Sequence, residues 1–308
     1  MTKIGLPKAL FYYQHSAVWE GFFRNLGCEV IVSGDTNKEI LDRGVRCCSN
    51  DTCLPVKVFH GHVDILKGNV DYVFIPRYTC LINREYTCPK FCGLPEMTYL
   101  NLDKQVRLLE ISLNVETGHM EAAKGLKTVS KSLDLDYRAA EEAFQNALRE
   151  LEQGYKKCEN SFGEPVAKER DRKRQTLAVL GHPYMIYDKY LSMKLLEKLR
   201  SRNISIVTPA DLEYQTKRRH AVPYQEKVFW EVGLDNLGSA FVFAGSENID
   251  GIIYLTPFAC GVDSFVIEFI ERRLKSDYTV PFLKLTVDEH TGEAGFDTRL
   301  EAFLDMIG

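Results

Sequence analysis

Short apolar runs alternate with segments of helical periodicity along most of the chain. Because short apolar runs bounded by turn residues are typical of buried strands, this alternation predicts an α/β protein with parallel sheets. In the first third we predict strands Lys3–Leu6, Glu29–Ser33 and Tyr72–Ile75, and helices Ala17–Leu26, Asn37–Arg43 and Pro55–Leu66. In the last third we predict strands Leu177–Gly181, Ser205–Val207, Gly251–Leu255 and Phe282–Thr286, and helices Tyr190–Ser201, Asn236–Asn248, Ser264–Arg273 and Arg299–Met306.

The middle of the chain is helical and rich in charge. Apolar residues between Tyr137 and Tyr155 recur three and four positions apart, which predicts an amphipathic helix capped by Asp134 or Asp136. The run 168–174 mixes acidic and basic residues, as is typical of a solvated linker. We therefore predict a first α/β domain over 1–100, a helical connection and linker over 101–174, and a second α/β domain over 175–308.

Length and charge narrow the classes of function. The 308 residues are enough for two compact units, and the net charge of −4 gives no bulk positive field for a nucleic-acid backbone. The first residues lack an apolar leader, and no uncharged apolar run approaches the roughly 20 residues that cross a bilayer. We expect a cytoplasmic protein with neither a nucleic-acid nor a membrane partner.

The nine cysteines are distributed unevenly, because six of them fall between residues 47 and 92: Cys47, Cys48, Cys53, Cys80, Cys88 and Cys92. Cytosolic thiols stay reduced, so clustered cysteines there are more often metal ligands or catalytic groups than disulfides. Zinc modules usually carry a C-x₂-C pair, which is absent, whereas dispersed thiols from several loops favour an iron–sulfur cluster. Zinc and buried structural thiols remain the alternatives, and we interpret Cys28 and Cys158 as plain thiols.

Several thiols follow predicted strands or precede predicted helices. Cys80 and Cys260 lie in loops after strands, where ligands bind in open α/β sheets, and would share a crevice if the two halves face one another. Cys53 and Cys260 each precede a helix, whose free N–H groups stabilise a thiolate. Lys57 and His60 follow Cys53 by four and seven residues and so share its helix face. The sequence contains no G-x₄-G-K-[ST] phosphate loop, so we predict no ATP site.

A set of strings along the chain resembles one known family: Ile4–Leu10, Trp19–Phe23, Leu26–Val30, Cys53–Lys57, His60–His62, Cys260–Gly261, Asp288–Gly295 and Thr298–Phe303. Together they resemble the acyl-CoA dehydratase activase-related proteins, which are near the 2-hydroxyacyl-CoA dehydratase and benzoyl-CoA reductase superfamily. The likeness covers nearly the whole chain. It implies two flavodoxin-like, Rossmann-like domains with an iron–sulfur cluster at their interface, either [4Fe-4S] or double-cubane [8Fe-9S].

The resemblance also implies a ligand set. Cys53 and Cys260 match the family's motif positions, and Cys88 or Cys92 is expected to supply a further ligand. The second half offers only Cys260, so a symmetric double-cubane arrangement is not matched. Six thiols are reached if the first half also contributes Cys80 and Cys47 or Cys48.

The resemblance implies a function in anaerobic metabolism. A separate ATP-hydrolysing activator would feed low-potential electrons to the cluster, and an open iron site would pass them to a small or acyl-CoA-type substrate. We name Ser49, Lys57, His60 and Glu289 as candidate catalytic groups around that site. A non-catalytic cluster carrier or scaffold and a zinc-stabilised binding protein remain alternatives, and the sequence leaves open a homo- or hetero-oligomer.

Overall fold

The chain divides into two compact units, Met1–Tyr155 (unit 1) and Lys156–Gly308 (unit 2). The computed structural model describes all residues except 83, 103–105, 118, 162–173 and 225. The predicted charged linker therefore lies outside the described residues over 168–173. The predicted α/β class is confirmed, whereas the three-part division at residues 100 and 174 stays a prediction.

Unit 1 contains a four-stranded sheet in which all pairings are parallel. Its strands are β1 (Lys3–Leu6), β2 (Glu29–Val32), β3 (Tyr72–Phe74) and β6 (Leu108–Leu109), in the order β2-β1-β3-β6. A second sheet is formed by β4 (Arg77–Ile82), β5 (Glu85–Tyr86) and β7 (Ser112–Asn114), in the order β5-β4-β7. The sequence pattern does not predict this second sheet, because its strands are short and carry polar residues.

The described helices that begin in unit 1 are α1 (Tyr12–Asn25), α2 (Lys38–Cys47), α3 (Leu54–Leu66), α4 (Pro89–Cys92), α5 (Leu94–Asn101), α6 (His119–Ser132) and α7 (Tyr137–Ser161). Helix α7 is the predicted amphipathic helix, and the Asp136 carboxylate accepts a hydrogen bond from the Arg138 amide at its start. Its Phe144 packs against Trp19 and Phe22 of α1, with ring centroids 6.4 and 6.3 Å apart. The first part of the predicted helical connection therefore completes the core of unit 1.

Unit 2 contains a second parallel four-stranded sheet. Strands β8 (Thr176–Gly181), β9 (Ser205–Val207), β10 (Gly251–Pro257) and β11 (Phe282–Val287) have the order β11-β10-β8-β9. The helices are α8 (Pro183–Tyr187), α9 (Leu195–Ser201), α10 (Tyr214–Ala221), α11 (Glu231–Ala244), α12 (Gly261–Asp277) and α13 (Glu293–Ile307), with short 3₁₀ turns at Pro209–Asp211 and Val222–Tyr224. All seven residues of β10 are buried, which agrees with its largely apolar sequence.

The two four-stranded sheets share one topology. In unit 1 the chain runs from β1 outward to β2 and then crosses back to β3 on the other side of β1. In unit 2 it runs from β8 to β9 and then crosses to β10 on the other side of β8. The strand order therefore reverses between β1 and β3, and again between β8 and β10. Ligands of open α/β sheets bind at such switch points, beyond the carboxyl ends of the strands.

Glycines allow close helix packing in both units. A Cβ at Gly44 of α2 would overlap the Lys57 carbonyl oxygen of α3, and a Cβ at Gly61 of α3 would overlap the Ile40 carbonyl of α2. In unit 2 a Cβ at Gly238 of α11 would overlap the Lys217 carbonyl of α10.

None of the helices in the described part of the chain has the length and apolar character needed to cross a membrane.

Candidate functional site

Three of the predicted ligand thiols lie where α2 ends and α3 begins. Cys47 is the last residue of α2, Cys48 follows it, and Cys53 is the N-cap of α3, with Pro55 in the first turn. A hydrogen bond from the Cys48 thiol lowers the pKa of Cys47, although burial opposes this shift. The same hydrogen bond, together with burial, raises the pKa of Cys48 well above its usual range. Cys48 also interacts electrostatically with Lys57 and Cys53, so a positive charge on α3 lies close to the thiols of this loop.

Lys57 and His60 are both buried on α3 behind these thiols. The Lys57 ammonium donates a hydrogen bond to the Asn50 carbonyl at 3.0 Å. Burial lowers the pKa of His60, and its two ring nitrogens lie 2.7 Å from the Val56 carbonyl and 3.1 Å from the Asn101 amide nitrogen. The Asn101 amide also lies 3.9 Å from the Cys48 sulfur. Lys57 therefore interacts with Cys48 directly, whereas Asn101 lies between His60 and the Cys48 sulfur and is a contact that sequence reasoning missed. A role for either side chain at a metal site stays a prediction.

The other two candidate polar residues, Ser49 and Glu289, lie in different units. The Ser49 hydroxyl lies in the same loop, 3.0 Å from the Thr52 hydroxyl, and its hydrogen bond lowers the pKa of Asp51. Glu289 is half-buried in the turn after β11, in unit 2. The structure thus places Ser49, but not Glu289, in the unit that holds the clustered thiols.

The remaining predicted thiols of unit 1 are Cys80, Cys88 and Cys92. Cys88 and Cys92 bracket the single turn α4, and the Cys92 sulfur lies 3.5 Å from the Thr79 hydroxyl. Cys80 lies within strand β4 and not in a loop as predicted, because pairing with β5 and β7 continues the extended chain after β3. It is fully buried, and its thiol donates to the Ile82 carbonyl at 3.0 Å. Within the described residues of unit 1, no three metal-ligating side chains meet within 4.8 Å of one another. The predicted crevice shared by Cys80 and Cys260 concerns two separate units and stays a prediction.

The switch point of unit 2 carries a compact polar group, which we call the His–Cys–Asp triad: His182, Cys260 and Asp263. His182 follows β8, and Cys260 is the N-cap of α12 after β10, with Asp263 in the first turn of that helix. Because β8 and β10 are parallel neighbours, their following loops emerge at the same edge of the sheet. The Cys260 sulfur accepts a hydrogen bond from the Asp263 amide at 3.4 Å, which ties both residues to the start of α12.

The triad is tightly spaced and mostly buried. The His182 Nε2 lies 3.1 Å from Asp263 Oδ1 and 3.8 Å from the Cys260 sulfur. The Tyr254 and Thr256 hydroxyls donate to the Asp263 carboxylate at 2.9 and 2.8 Å. The other nitrogen of His182, Nδ1, is buried and has no hydrogen-bond partner in the described structure.

The acidic groups of the triad shift the pKa values of their neighbours. Burial by itself would lower the pKa of His182, but Asp263 and Cys260 outweigh burial and raise this pKa well above its usual range. Burial and the neighbouring Asp263 raise the pKa of Tyr254 in turn, so its hydroxyl keeps the proton that it donates. The Tyr184 ring stacks on the His182 ring with centroids 4.9 Å apart.

Two special backbone conformations frame the triad. Gly181 has a φ of 142°, and a Cβ there would overlap the Leu255 carbonyl oxygen, so only glycine fits before His182. Ala259 has a φ of 62°, a left-handed conformation that costs energy for a residue with a side chain. Both positions come directly before triad residues, so the main chain is bent specifically where it presents His182 and Cys260.

Sequence reasoning found Cys260 but missed His182 and Asp263. The signal for His182 was its place in the loop after a predicted strand, the same position that singled out Cys260. Asp263 was hidden because helix α12 begins at Gly261, three residues before the predicted start at Ser264. With the observed start, an acid three residues after Cys260 falls in the first helical turn, beside that thiol.

The switch point of unit 1 holds apolar groups instead. A small cavity of about 40 Å³ opens at the carboxyl ends of β1 and β3. It is lined by Leu6 and Pro7 after β1, Phe74 and Pro76 at β3, and further apolar residues that include Phe91, which lies between Cys88 and Cys92. The equivalent edges of the two sheets are therefore chemically different.

Two protein-family models together match most of the chain. Residues 3–212 match the family model described as CoA enzyme activase uncharacterised domain, and residues 242–307 match the model described as 2-hydroxyglutaryl-CoA dehydratase, D-component. Among curated proteins, none is similar enough to count as a match.

One solved structure is a LacI family transcriptional regulator from Arthrobacter sp. FB24, in complex with lactose. It is 13% identical, with coverage of 99% of this chain and 90% of that chain, and its TM-score of 0.20 carries no argument. The first family model spans more than half of the 308 residues. The chain therefore belongs to the CoA enzyme activase uncharacterised-domain family, as an acyl-CoA dehydratase activase-related protein of the 2-hydroxyacyl-CoA dehydratase system.

Proposed function

We propose that this chain is a cytoplasmic iron–sulfur protein that accepts single low-potential electrons and passes them to a small or acyl-CoA-type substrate. The observation that carries the proposal is the gathering of Cys47, Cys48 and Cys53 at the adjoining ends of α2 and α3. Thiolates are the usual ligands of iron–sulfur clusters, so the donor chemistry fits such a group.

The residues that would hold the cluster are the thiols of unit 1, Cys48 (with Cys47 beside it), Cys53, Cys80, Cys88 and Cys92, and Cys260 of unit 2 stays a further predicted ligand. Lys90, between Cys88 and Cys92, interacts electrostatically with Asp51 in the loop of Cys48 and Cys53, which supports a common site for these thiols. The thiolates of a multi-iron cluster bind different iron atoms and so stand further apart than the ligands of one ion. When bound, the cluster supplies reversible one-electron chemistry.

The chain's own side chains support this role around the thiols. The buried Lys57 ammonium interacts favourably with sulfur that carries negative charge, and the free N–H groups at the start of α3 act in the same direction at Cys53. Asn101 and Thr79 lie within hydrogen-bonding reach of the Cys48 and Cys92 sulfurs. Hydrogen bonds to ligand sulfur adjust the reduction potential of iron–sulfur clusters.

The electrons are proposed to come from a separate ATP-hydrolysing activator. The sequence has no phosphate-binding loop of its own, so ATP hydrolysis is assigned to that partner. The match to a CoA enzyme activase domain supports a place in the same reaction system.

Anaerobic purification with iron and sulfide analysis tests the proposal. We expect brown protein with about four or eight iron atoms per chain, which bleaches reversibly on one-electron reduction. Cys53→Ala is expected to lose most of the iron, whereas Cys28→Ala, a buried thiol of the same unit, is expected to keep it. Colourless protein without iron after anaerobic reconstitution, or full iron content in Cys53→Ala, would contradict the proposal.

The same preparation separates a reductase from a cluster carrier. A reductase is expected to return to its oxidised spectrum when substrate is added, while keeping its iron. If the reduced protein never turns over a substrate and its cluster moves intact to an apo-acceptor, the carrier role replaces the reductase role.

A further inference from the structure

His182 directs one ring nitrogen toward the Cys260 sulfur. Its Nε2 lies 3.8 Å from that sulfur and 3.1 Å from Asp263 Oδ1. A thiolate and a carboxylate both accept hydrogen bonds, so we assign a hydrogen to Nε2, where it faces these two acceptors. Imidazolium carries this hydrogen, and so does the neutral ring in one of its two tautomers. The donor role of Nε2 therefore does not require a charged ring.

The orientation of the His182 ring is fixed by its surroundings. His182 is 4% exposed, and the Tyr184 ring stacks on it with centroids 4.9 Å apart. The Tyr254 and Thr256 hydroxyls donate to the Asp263 carboxylate at 2.9 and 2.8 Å, and this carboxylate in turn contacts Nε2. Such outer hydrogen bonds hold the groups around metal ligands in a defined orientation. His182 is thus a donor that is already aimed at the Cys260 sulfur.

The Cys260 sulfur also accepts from the main chain. The Asp263 amide donates to it at 3.4 Å, within the first turn of α12. Cys260 is only half-buried, so the contacts with both N–H groups leave part of the residue exposed. The main-chain donor is present whatever side chains surround it, whereas the His182 donor depends on one residue and can be removed by substitution.

Hydrogen bonds of this kind act on the electron affinity of an iron–sulfur cluster. Ligand sulfur gains negative charge when the cluster is reduced, and an N–H group that points at the sulfur stabilises this charge. Such a donor therefore raises the reduction potential, which is one of the ways in which a protein adjusts its cluster.

We propose that His182 is a positioning residue for electron acceptance: its Nε2–H donates to the Cys260 sulfur when Cys260 ligates iron, and this contact raises the reduction potential of the bound cluster. The inference rests on the proposed function and on Cys260 as one of the cluster ligands. It gives His182 no bond to iron. It differs in this respect from a ligand role, and the two roles predict different iron contents for His182 variants.

The test compares anaerobically reconstituted native protein with His182→Phe, which keeps an aromatic ring next to Tyr184 but removes both ring nitrogens. We expect native iron content in His182→Phe, because no ligand is lost. One-electron reduction should become about tenfold less favourable, which lowers the midpoint potential by about 59 mV in a dithionite titration followed by electron paramagnetic resonance. His182→Met, a second variant without the donor, should show the same shift. His182→Gln keeps an amide N–H group and should recover part of it.

His220→Phe is the matched control, since it makes the same change at an exposed histidine of unit 2 and should keep the native potential. A native potential in iron-loaded His182→Phe or His182→Met would overturn the inference and leave the proposed function intact. Loss of iron from variants that circular dichroism shows to be folded would make His182 a ligand, which also overturns it. Native protein that takes up no iron would instead overturn the proposed function itself.

Discussion

The two units of this chain have the same sheet topology but opposite chemistry at their switch points. At the carboxyl ends of β1 and β3, unit 1 presents a small cavity lined by Leu6, Phe74 and other apolar groups. At the carboxyl ends of β8 and β10, unit 2 presents buried charged groups around Asp263. The common topology determines where a site can form, whereas the residues that follow each strand determine what the site can bind.

The difference also affects what stabilises each unit near its switch point. Apolar lining stabilises by removing surface from water and tolerates moderate changes of shape. A buried charged group is stable only with its partner, so removal of one member is costly. Unit 2 is therefore expected to be more sensitive than unit 1 to single substitutions at this edge.

The largest expected effect is that of Asp263→Ala in metal-free protein. The substitution leaves His182 buried without its charge partner and the Tyr254 and Thr256 hydroxyls without their acceptor, at a cost of about 3–5 kcal/mol. Amide protection in β10 should fall about 200- to 5,000-fold in hydrogen-exchange measurements, which is the same free-energy loss expressed as a ratio. Asp297→Ala removes a solvent-accessible ion pair with Lys198 and should cost less than about 1 kcal/mol. Equal losses in both variants would remove the distinction between buried and exposed pairs.

Acid is expected to destabilise unit 1 through buried histidines, chiefly two of them, with a smaller contribution from His60, whose pKa burial also lowers. Burial lowers the pKa of His15 and of His62 from 6.5 to about 4. The unfolded chain therefore takes up protons below pH 6.5 that the folded unit takes up only near pH 4. His15 and His62 should each remove about 2.5 kcal/mol of stability between pH 7 and pH 4.5, and no stability is lost above pH 7 from this cause.

Trp19 allows this effect to be measured in unit 1 alone. With Trp230→Phe as background, Trp19 fluorescence follows urea unfolding of unit 1, because the chain has two tryptophans and the other one lies in unit 2. His62→Gln should reduce the pH dependence by about 2.5 kcal/mol, and exposed His220→Gln should leave it unchanged. A pH dependence that keeps its full native size in the double variant His15→Gln/His62→Gln would assign acid sensitivity to other groups.

The two units should respond alike where they use the same packing device. Gly44→Ala and Gly238→Ala each place a methyl group against a carbonyl oxygen of the neighbouring helix, so each should cost about 2 kcal/mol or more. Gly295→Ala is the matched control, since its Cβ meets no atom within 4 Å and alanine favours a helix by about 0.5–1 kcal/mol. Thermal unfolding of the three variants checks this, and a stable Gly44→Ala would show that α2 and α3 can move apart.

The smallest expected difference concerns helix caps. The Asn37 side chain accepts from the Ile40 amide at 3.0 Å at the start of α2, and Asn37→Ala should cost about 1 kcal/mol. The Cys260 sulfur caps α12 in the same way at 3.4 Å, but sulfur is a weak acceptor. Cys260→Ala in metal-free protein should therefore cost less than Asn37→Ala in urea titrations. A larger loss for Cys260→Ala would mean that its sulfur has a structural role beyond capping.

Much of the fold follows from local patterns in the sequence. The strands of the two parallel sheets are predicted within two residues at each end, because buried parallel strands read as short apolar runs, except for the two-residue β6, which is not predicted. Helix α9 begins at Leu195 and not at Tyr190, since Met193 and Lys194 adopt left-handed conformations that no pattern of apolar residues reveals. The β5-β4-β7 sheet is missed because β5 has two residues and long-range pairing decides its existence.

The candidate sites were predictable to different degrees. Cys53 and the neighbouring Lys57 and His60 share one helix, so their proximity follows from helical spacing. The contact of Asn101 with His60 joins residues 41 positions apart and needs the tertiary fold. His182 and Cys260 are 78 positions apart, and only the parallel pairing of β8 with β10 brings them together.

The contact between α2 and α3 has a consequence for redesign of the thiol loop. At Gly44 and Gly61 the two backbones touch directly, so the distance between the end of α2 and the start of α3 does not depend on any side chain in the loop. Histidine or aspartate at position 48 or 53 would then change the preferred metal while the two helix ends keep their separation. The packed pair α2 and α3 would therefore serve as a fixed scaffold on which the ligand residues can be substituted one at a time.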